Sequence, residues 1–259
     1  MEKQDKQAEI ALTEAEIDNR LSEHDLKCKR EQLEILGFNG DQKGVVLDAG
    51  CGPGTFGILL AQNGNIVFGV DLSSKAVRTA RNRAQAENIS FWPIIGDIEN
   101  LPFGSNSFDL CFCGNILHHF RDLEPLVAEL VRVLKPGGSF ACVENNGSNP
   151  LVRWSRIAGR NLGNAWPLLH SKDTGNITPH THRDYVGVLS RHGIMNIKIS
   201  SRYHGLPPYK DPIPDNSSLW DRALWQVLNQ TYNLGIYLLA KLLPEPRGGN
   251  ILLIKGTKG

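Results

Sequence analysis

Apolar and polar residues alternate in two different rhythms between residues 44 and 144. Short apolar runs, typical of buried strands, lie at Gly44–Ala49, Asn65–Val70, Phe91–Ile95, Phe108–Cys113 and Ser139–Glu144. Segments with helical spacing lie between them at Thr55–Gln62, Ser74–Glu87 and Leu123–Leu134, the last ending before the Lys135-Pro136-Gly137-Gly138 stop. This alternation predicts βαβ crossovers and a doubly wound α/β fold with a mostly parallel sheet. Such sheets bind ligands beyond the carboxyl ends of their strands.

The flanking regions add two strands and three helices to this core. Helical spacing extends from Met1 to about Leu36, and later elements are predicted at Arg183–His192 (helix), Met195–Ser201 (strand), Leu219–Leu243 (helix) and Ile251–Lys255 (strand). The total is seven strands. We therefore expect a single domain over residues 1–259. It would comprise an N-terminal helical cap at 1–40, a core at 44–144 and a region at 145–259 with a helical insertion at about 205–247.

Composition narrows the classes of function. The 259 residues contain 28 Lys and Arg against 27 Asp and Glu, a net charge of +1, so the basic excess of a duplex nucleic-acid binder is missing. Five cysteines form no CxxC pair, which favours reduced thiols and a cytoplasmic location. The longest apolar stretch, Leu234–Leu243, has ten residues, whereas a bilayer span needs about 20. No signal peptide is apparent at the N-terminus.

The loop after the first strand carries the strongest chemical signal. The run Asp48-Ala49-Gly50-Cys51-Gly52-Pro53-Gly54-Thr55 places three alternating glycines between a strand and a helix. Glycine is needed where the backbone takes positive φ or approaches a ligand closely. The third glycine comes one residue too early for the G-x-G-x-x-G fingerprint of dinucleotide sites, so a ligand without a pyrophosphate is favoured.

Asp71 ends the next apolar run, and two interpretations of it stay open. A carboxylate at the tip of a strand can accept hydrogen bonds from both hydroxyls of a ribose. The same residue can instead cap the helix that begins near Ser74, and the two roles are compatible.

Five motifs in this order resemble those of class I S-adenosylmethionine-dependent methyltransferases, in the style of the ubiquinone/menaquinone methyltransferase-like group (type 11). They are Asp48–Gly54, Asp71, the segment Gly96-Asp97-Ile98-Glu99-Asn100-Leu101-Pro102-Phe103, the pair Ser107-Phe108-Asp109 and Leu117-His118-His119, and Leu134–Gly138. The resemblance covers roughly residues 44–144. It implies a Rossmann-like fold and S-adenosylmethionine as the cofactor.

The resemblance also implies which residues bind this cofactor. The glycine loop, with Asp48, Gly50, Gly52 and Gly54, would hold the methionine end. Asp71 would hold the ribose, with Leu72 beside the adenine. Asp97 and Ile98 would bind the adenine edge, and Asn115 would border the sulfonium.

Candidates for a general base lie after the fourth and fifth strands. His118 and His119 fall where methyl acceptors approach, and the pKa of a histidine suits proton transfer near neutral pH. Each can equally be a residue that packs against the next helix. Glu144 is either a base or a hydrogen-bonding residue at the rim. His180 and His182 lack partners with metal-ligand spacing, so no metal is expected.

The acceptor is predicted to be a small molecule. The [DN]-P-P-[YFW] motif of many amino-group methyltransferases is missing after the fourth strand, where Cys113-Gly114-Asn115-Ile116 stands, and there is no Pro-Cys dipeptide of the cytosine-C5 type. An apolar stripe in the insertion either docks onto the core or contacts an apolar acceptor or a membrane surface. Its members are Leu219, Trp220, Leu224, Trp225, Leu228, Tyr232, Ile236, Leu239 and Leu243.

Two alternatives belong to other classes. One is a cofactor-binding partner subunit that has lost catalysis, and the other is a nicotinamide-dependent dehydrogenase, against which the early Gly54 and the Asp97 segment argue. Fold-level analogy does not choose among acceptors. The sequence also leaves open whether oxygen, nitrogen or carbon is methylated and whether the chain dimerises.

Overall fold

A seven-stranded sheet with helices on both faces forms the centre of the protein in the computed structural model, which describes residues 23–40, 43–154, 178–203 and 219–259. The strands are β1 (Val45–Ala49), β2 (Ile66–Asp71), β3 (Phe91–Ile95), β4 (Phe108–Gly114), β5 (Leu134–Asn145), β6 (Ile194–Arg202) and β7 (Ile251–Lys258). The helices are α1 (Glu23–Ile35), α2 (Thr55–Gln62), α3 (Ser74–Glu87), α4 (Glu124–Val133), α5 (His182–Arg191) and α6 (Leu219–Leu242). The predicted doubly wound α/β fold is confirmed.

The strand order is β3-β2-β1-β4-β5-β7-β6. The first five strands are mutually parallel, so the loops that follow β1, β2, β4 and β5 emerge at one edge of the sheet. β7 is inserted antiparallel between β5 and β6, with Asn145 opposite Ile251. The chain order reverses between β1 and β4, which is where such sheets open a crevice for ligands.

Two apolar clusters hold the helices against the sheet. Phe56, Ile58, Leu59 and Leu60 of α2 pack with Val46 of β1 on one face. On the other face Leu126, Leu130 and Val133 of α4 join Tyr185 and Leu189 of α5. Because both faces are covered, the central strands are mostly apolar, as expected of parallel strands, with Asp48 in β1 and Asp109 in β4 as exceptions.

Several predicted boundaries are confirmed to the residue, including those of α2, α3 and β3. The Lys135–Gly138 segment is different, because it was predicted only as a helix stop and lies within β5, which begins at Leu134. The β4–β5 register shifts there, from Phe108 opposite Leu134 to Leu110 opposite Ser139, and Gly137 has φ of +74°. A tight bulge therefore replaces a separate loop.

The edge strand β3 has unusual surroundings. Residues 96–107 connect it to β4 without a helix, and Phe103 covers the sheet there by packing against Phe68 and Phe108 at centroid distances of 5.8 and 4.9 Å. Trp92 stacks on Phe68 but remains 48% exposed.

The apolar stripe predicted in the late insertion is only partly described. Leu239 and Leu243 are half-buried, but Trp220 is exposed, so it does not share their docked face. The other six stripe positions lie outside the described side chains, as do residues 1–22 of the predicted N-terminal helix and residues 205–218 of the insertion. Among the described helices, none combines the length and the hydropathy that crossing a membrane requires.

Candidate active site

The glycine loop lies at the carboxyl end of β1 and is fixed to the end of β2. The backbone amides of Gly50 and Cys51 donate to the carbonyl oxygen of Val70 at 2.9 and 3.1 Å. The amide of Gly52 donates to Oδ2 of Asp71 at 2.8 Å. Gly54 is the N-cap residue of α2 and has φ of +86°. The loop is thus an ordered turn rather than a loose connection.

Gly50 and Gly52 are required for different reasons. Both have positive φ, but a Cβ on Gly50 would come within 2.5 Å of Ile116 Cγ1, whereas a Cβ on Gly52 would meet nothing within 4 Å. Gly50 therefore serves the packing of the β1 and β4 loops. Gly52 borders open space in which a ligand can approach the backbone.

Asp71 organises the loop after β2 through both carboxylate oxygens. Oδ2 accepts from Gly52, and Oδ1 accepts from the amide of Ser73 at 2.8 Å. The N-cap of α3 is Ser73, whose hydroxyl accepts from the amide of Ala76 at 3.1 Å. Helix capping therefore does not explain Asp71.

The second predicted cofactor segment lies beside the first. The amide of Gly96 donates to the carbonyl of Asp71 at 3.0 Å, which brings the half-buried Asp97 to the same edge. Leu72 is also half-buried there. Ile98 differs from the expectation, because its side chain is buried in the hydrophobic core and only its main chain remains for a ligand.

Asp48 is a buried carboxylate beneath this loop. Its Oδ2 accepts no hydrogen bond from any residue in the described part of the chain. Burial raises the pKa of Asp48 to about 7; the approaching amide of Gly57 and the charge of Lys29 oppose this rise, and Asp71 adds to it. An acidic group of this kind fits a ligand that brings a positive charge.

Lys29 of α1 is a functional candidate that the sequence reasoning missed. Its Nζ lies 4.2 Å from the centroid of the Phe56 ring and interacts electrostatically with Asp25 and Asp48. Burial lowers the pKa of Lys29 to about 8 against the influence of these acids. No sequence signal marked this lysine, because α1 contains many charged residues and its docking register was not predictable.

Two of the three candidate bases, His118 and Glu144, form a buried pair. Oε1 of Glu144 accepts from the amides of Ile116 and Leu117 at 2.8 and 2.7 Å, and Oε2 lies 2.7 Å from Nδ1 of His118. Glu144 is wholly buried and His118 is nearly so. Glu144 thus fixes the turn after β4 instead of facing an acceptor.

His119 and Asn115 lie nearer to the surface. His119 is half-buried, with its ring centroid 4.2 Å from that of His118. Asn115 is exposed, has φ of +58° and donates its amide to the carbonyl of Val143 at 2.8 Å. The predicted residues Asp48, Gly52, Asp71 and Asp97 come together on one side of the crevice, and the histidines lie on the β4–β5 side.

The described residues contain neither a cluster of metal ligands nor a disulfide. No group of three or more His, Cys, Asp or Glu residues suited to a metal occurs in the ranges that the structure describes. All five cysteines are free thiols. Burial raises the pKa of the Cys51 thiol, with smaller contributions from Asp48 and Asp71, so this loop cysteine is not a thiolate nucleophile.

Comparison with known proteins identifies the domain. A profile of the methyltransferase domain matches residues 47–142. An uncharacterized methyltransferase of Synechocystis is 38% identical over 129 residues, covering 49% of this chain and 58% of the relative. A ubiquinone biosynthesis O-methyltransferase of Coxiella burnetii is 34% identical over 123 residues, covering 47% and 50%. The chain thus spans about half the length of the curated relatives it matches.

Solved structures agree on the fold. A SAM-dependent methyltransferase of Thermotoga maritima, a possible histamine N-methyltransferase, superposes with a TM-score of 0.61 at 17% identity, covering 90% of this chain and 89% of that chain. The glycine loop and the acidic residues Asp48, Asp71 and Asp97 lie within residues 47–142, the stretch that matches the methyltransferase domain, and the solved structure shares the fold around them.

Proposed function

We propose that this chain is an S-adenosylmethionine-dependent methyltransferase that acts on a small-molecule acceptor. The observation that carries the proposal is the open space beside Gly52, bordered by a loop that Asp71 holds in place and by the buried Asp48. In this proposal residues 1–259 form one domain, with α1 as its cap and residues 145–259 on the acceptor side.

The residues present fit the cofactor. S-adenosylmethionine supplies a methyl group on a cationic sulfonium, together with a ribose, an adenine and an amino-acid end. Asp71 would accept from the ribose hydroxyls, and Asp97 would bind the adenine edge. Asp48 would favour the positive charges, and the Lys29 ammonium would pair with the carboxylate of the amino-acid end.

The protein contributes alignment more than bond chemistry. Positioning a nucleophile about 3–3.5 Å from the reacting carbon removes much of the entropic barrier. Glu144 would keep the turn after β4 rigid through the amides of Ile116 and Leu117, and so would act as a positioning residue. Where the acceptor carries a proton at neutral pH, His119 is the better placed of the two histidines to accept it, because His119 is half-buried whereas His118 is buried.

Calorimetry with the demethylated cofactor tests the binding step. Asp71→Ala removes two charge-assisted acceptors, so we expect weaker binding by roughly 1.5–3 kcal/mol per lost bond, and Lys29→Met should weaken it by a smaller amount. Glu34→Gln, an exposed charge elsewhere on α1, is the control. Unchanged affinity in Asp71→Ala would remove this residue from the site.

Transfer of a labelled methyl group to a panel of quinols, phenols, lipids and amines tests catalysis. The named relatives differ in acceptor, so the panel must include oxygen and nitrogen nucleophiles. Cofactor binding without transfer to any member would support the non-catalytic partner subunit instead.

An exposed apolar face on α6 supports a finer proposal, contact with a membrane surface or an apolar acceptor. Val227, Leu234, Leu238 and Leu242 recur at helical spacing and are exposed, while Leu239 and Leu243 turn inward. We expect Leu234→Glu with Leu238→Glu to abolish flotation with liposomes, and Gln230→Glu to leave it unchanged. Equal flotation of all three proteins would contradict the proposal.

A further inference from the structure

Three chain segments are pinned together beyond the carboxyl end of β5. The side-chain amide of Asn146 donates to the carbonyls of Pro246 and Gly249 at 2.8 and 2.7 Å, and that of Asn149 donates to Gly248 at 2.7 Å. Both asparagines are wholly buried. These bonds fix residues 246–249 against residues 146–149 across about a hundred positions of sequence.

The third segment joins through Ser148. The hydroxyl of Ser148 accepts from the amide of His182 at 2.9 Å and lies 2.7 Å from Nδ1 of the same histidine. The amide of Gly147 donates to the carbonyl of His180 at 3.2 Å. Buried polar groups that are fully bonded in this way hold a rigid arrangement.

Each pinned segment presents an exposed arginine. Arg153 lies one helical turn after Asn149, Arg183 follows His182, and Arg247 lies between the anchored Pro246 and Gly248. Among the described residues none of the three guanidinium groups has a hydrogen bond or an ion pair. By contrast, Arg202 at the end of β6 forms an ion pair with Glu245.

The charges of these arginines converge. Burial lowers the pKa of His182, and both Arg183 and Arg247 lower it further against Asp184. Arg153 interacts electrostatically with Asp184, the acid of this cluster. The carboxylate of Asp184 already accepts from the amide and hydroxyl of Thr181, at 2.7 and 2.8 Å. Within the described ranges, the acid that interacts with these arginines is Asp184, whose carboxylate is already hydrogen-bonded.

The cluster lies beside the candidate active site. The amide of Thr178 donates to the carbonyl of His118 at 2.7 Å, and Nε2 of His180 lies 2.7 Å from the carbonyl of Phe120. The segment that carries Arg183 is therefore hydrogen-bonded to the turn after β4, on the β4–β5 side of the crevice.

We infer that the methyl acceptor carries an anionic group, a phosphate or a carboxylate, which Arg153, Arg183 and Arg247 bind together at the rim of the site. A guanidinium group can bind the oxygens of a phosphate or a carboxylate in bidentate geometry. Three guanidinium groups on a rigid frame bind one such anion more tightly than they bind the counter-ions of the solvent. This inference rests on the proposed function, because it names a property of that function's acceptor.

Titration calorimetry of the full chain without cofactor tests the site, with inorganic pyrophosphate and malonate as separate probes for the two anion types. We expect at least one probe to bind. The variant Arg153→Gln/Arg183→Gln/Arg247→Gln should lose roughly tenfold or more in affinity, as the loss of charge-assisted bonds predicts. Arg78→Gln removes an exposed arginine on α3 and should change nothing. Thermal unfolding of all variants checks that they fold.

The outcomes separate this inference from the proposed function. Equal affinity of wild type and triple variant for both probes, or no binding of either, overturns the anion site. The same variant should bind the demethylated cofactor like wild type. If the wild type binds anions but not the cofactor, the proposed function fails and the assignment to an acceptor fails with it. Binding of a polyanion such as heparin, but of neither small probe, also overturns it.

Discussion

At the scale of single residues, the two most consequential side chains are those whose ionisation the fold opposes. Asp48 and Lys29 lie on different elements, β1 and α1, and each favours the charge of the other. Burial opposes both charges. The protein therefore keeps two buried groups of opposite charge, both with shifted pKa values, at the candidate active site, which is a frequent property of functional sites.

Replacing Asp48 by Asn should reveal how much the buried carboxylate lowers the free energy of unfolding. The pKa of Asp48 is about 7 in the folded protein and about 3.8 when unperturbed, so the folded state holds the proton more tightly. Wild-type stability should therefore fall as the pH rises from about 4 to about 7, by up to roughly 4 kcal/mol at about 1.4 kcal/mol per pKa unit. The stabilisation of Asp48→Asn relative to wild type should grow across the same window.

Thermal or urea unfolding at pH 4.5 and 7.5 measures this difference. Glu34→Gln, an exposed carboxylate on α1, serves as the control and should show no such dependence. A difference between Asp48→Asn and wild type that stays constant with pH would mean that Asp48 titrates normally. Cofactor affinity should rise through pH 7 in wild type and not in Asp48→Asn.

At the scale of elements, two glycines of one loop separate folding from binding. Gly50→Ala would force a residue with a Cβ into positive φ and would also bring that Cβ into close contact with Ile116. Gly52→Ala would cost only the free energy of adopting positive φ. We expect Gly50→Ala to lose about 2–4 kcal/mol of stability, the sum of strain and overpacking. Gly52→Ala should lose about 1–2 kcal/mol and bind the demethylated cofactor more weakly, because its Cβ enters the open space.

Chemical denaturation and calorimetry on both variants test this contrast. Combining Gly50→Ala with Ile116→Ala removes the contacts to Cγ1 and Cδ1 of Ile116 but keeps that to its Cβ, and should recover part of the lost stability. Equal cofactor affinity of Gly52→Ala and wild type, at matched folding, would show that the space beside Gly52 is not part of the site.

The elements also show what the sequence could and could not provide. Apolar runs and helix signals were sufficient for α2, α3 and β3, and motifs predicted that the glycine loop, Asp71 and Asp97 bind the cofactor, because those signals are local. Ile98 was assigned to the cofactor, but its side chain lies in the core, since a motif does not specify which face a side chain takes. Lys29 and the three rim arginines depend on contacts between distant segments, which no local pattern records.

At the scale of the whole molecule, the sheet has an edge at β3 that must not pair with other chains. The amide of Gly96 points towards β2, so by alternation Pro93 directs its main chain outward, where it has no N–H to offer. A guanidinium nitrogen of Arg81 donates to the outward carbonyl of Pro93 at 3.2 Å. Proline and a covered carbonyl are means by which proteins protect an edge strand.

Removing this protection should promote association. We expect Pro93→Val with Arg81→Ala to form concentration-dependent oligomers, helped by the exposed Trp92 and Ile95, while Pro93→Val alone should do so less. Light scattering after gel filtration measures the effect. A double variant with the same mass distribution as wild type would show that the edge is protected by other means.

The position of β7 has a consequence for how the molecule is made. β6 pairs with the sheet only through β7, which lies between β5 and β6. β7 is synthesised about fifty residues after β6. During translation β1 to β4 have all their neighbouring strands once β5 has been made, whereas one edge of β5 and the whole of β6 lack a partner until β7 is made. The loops that Asn146 and Asn149 anchor depend on the same step, so this end of the sheet should be the last part of the protein to acquire its shape.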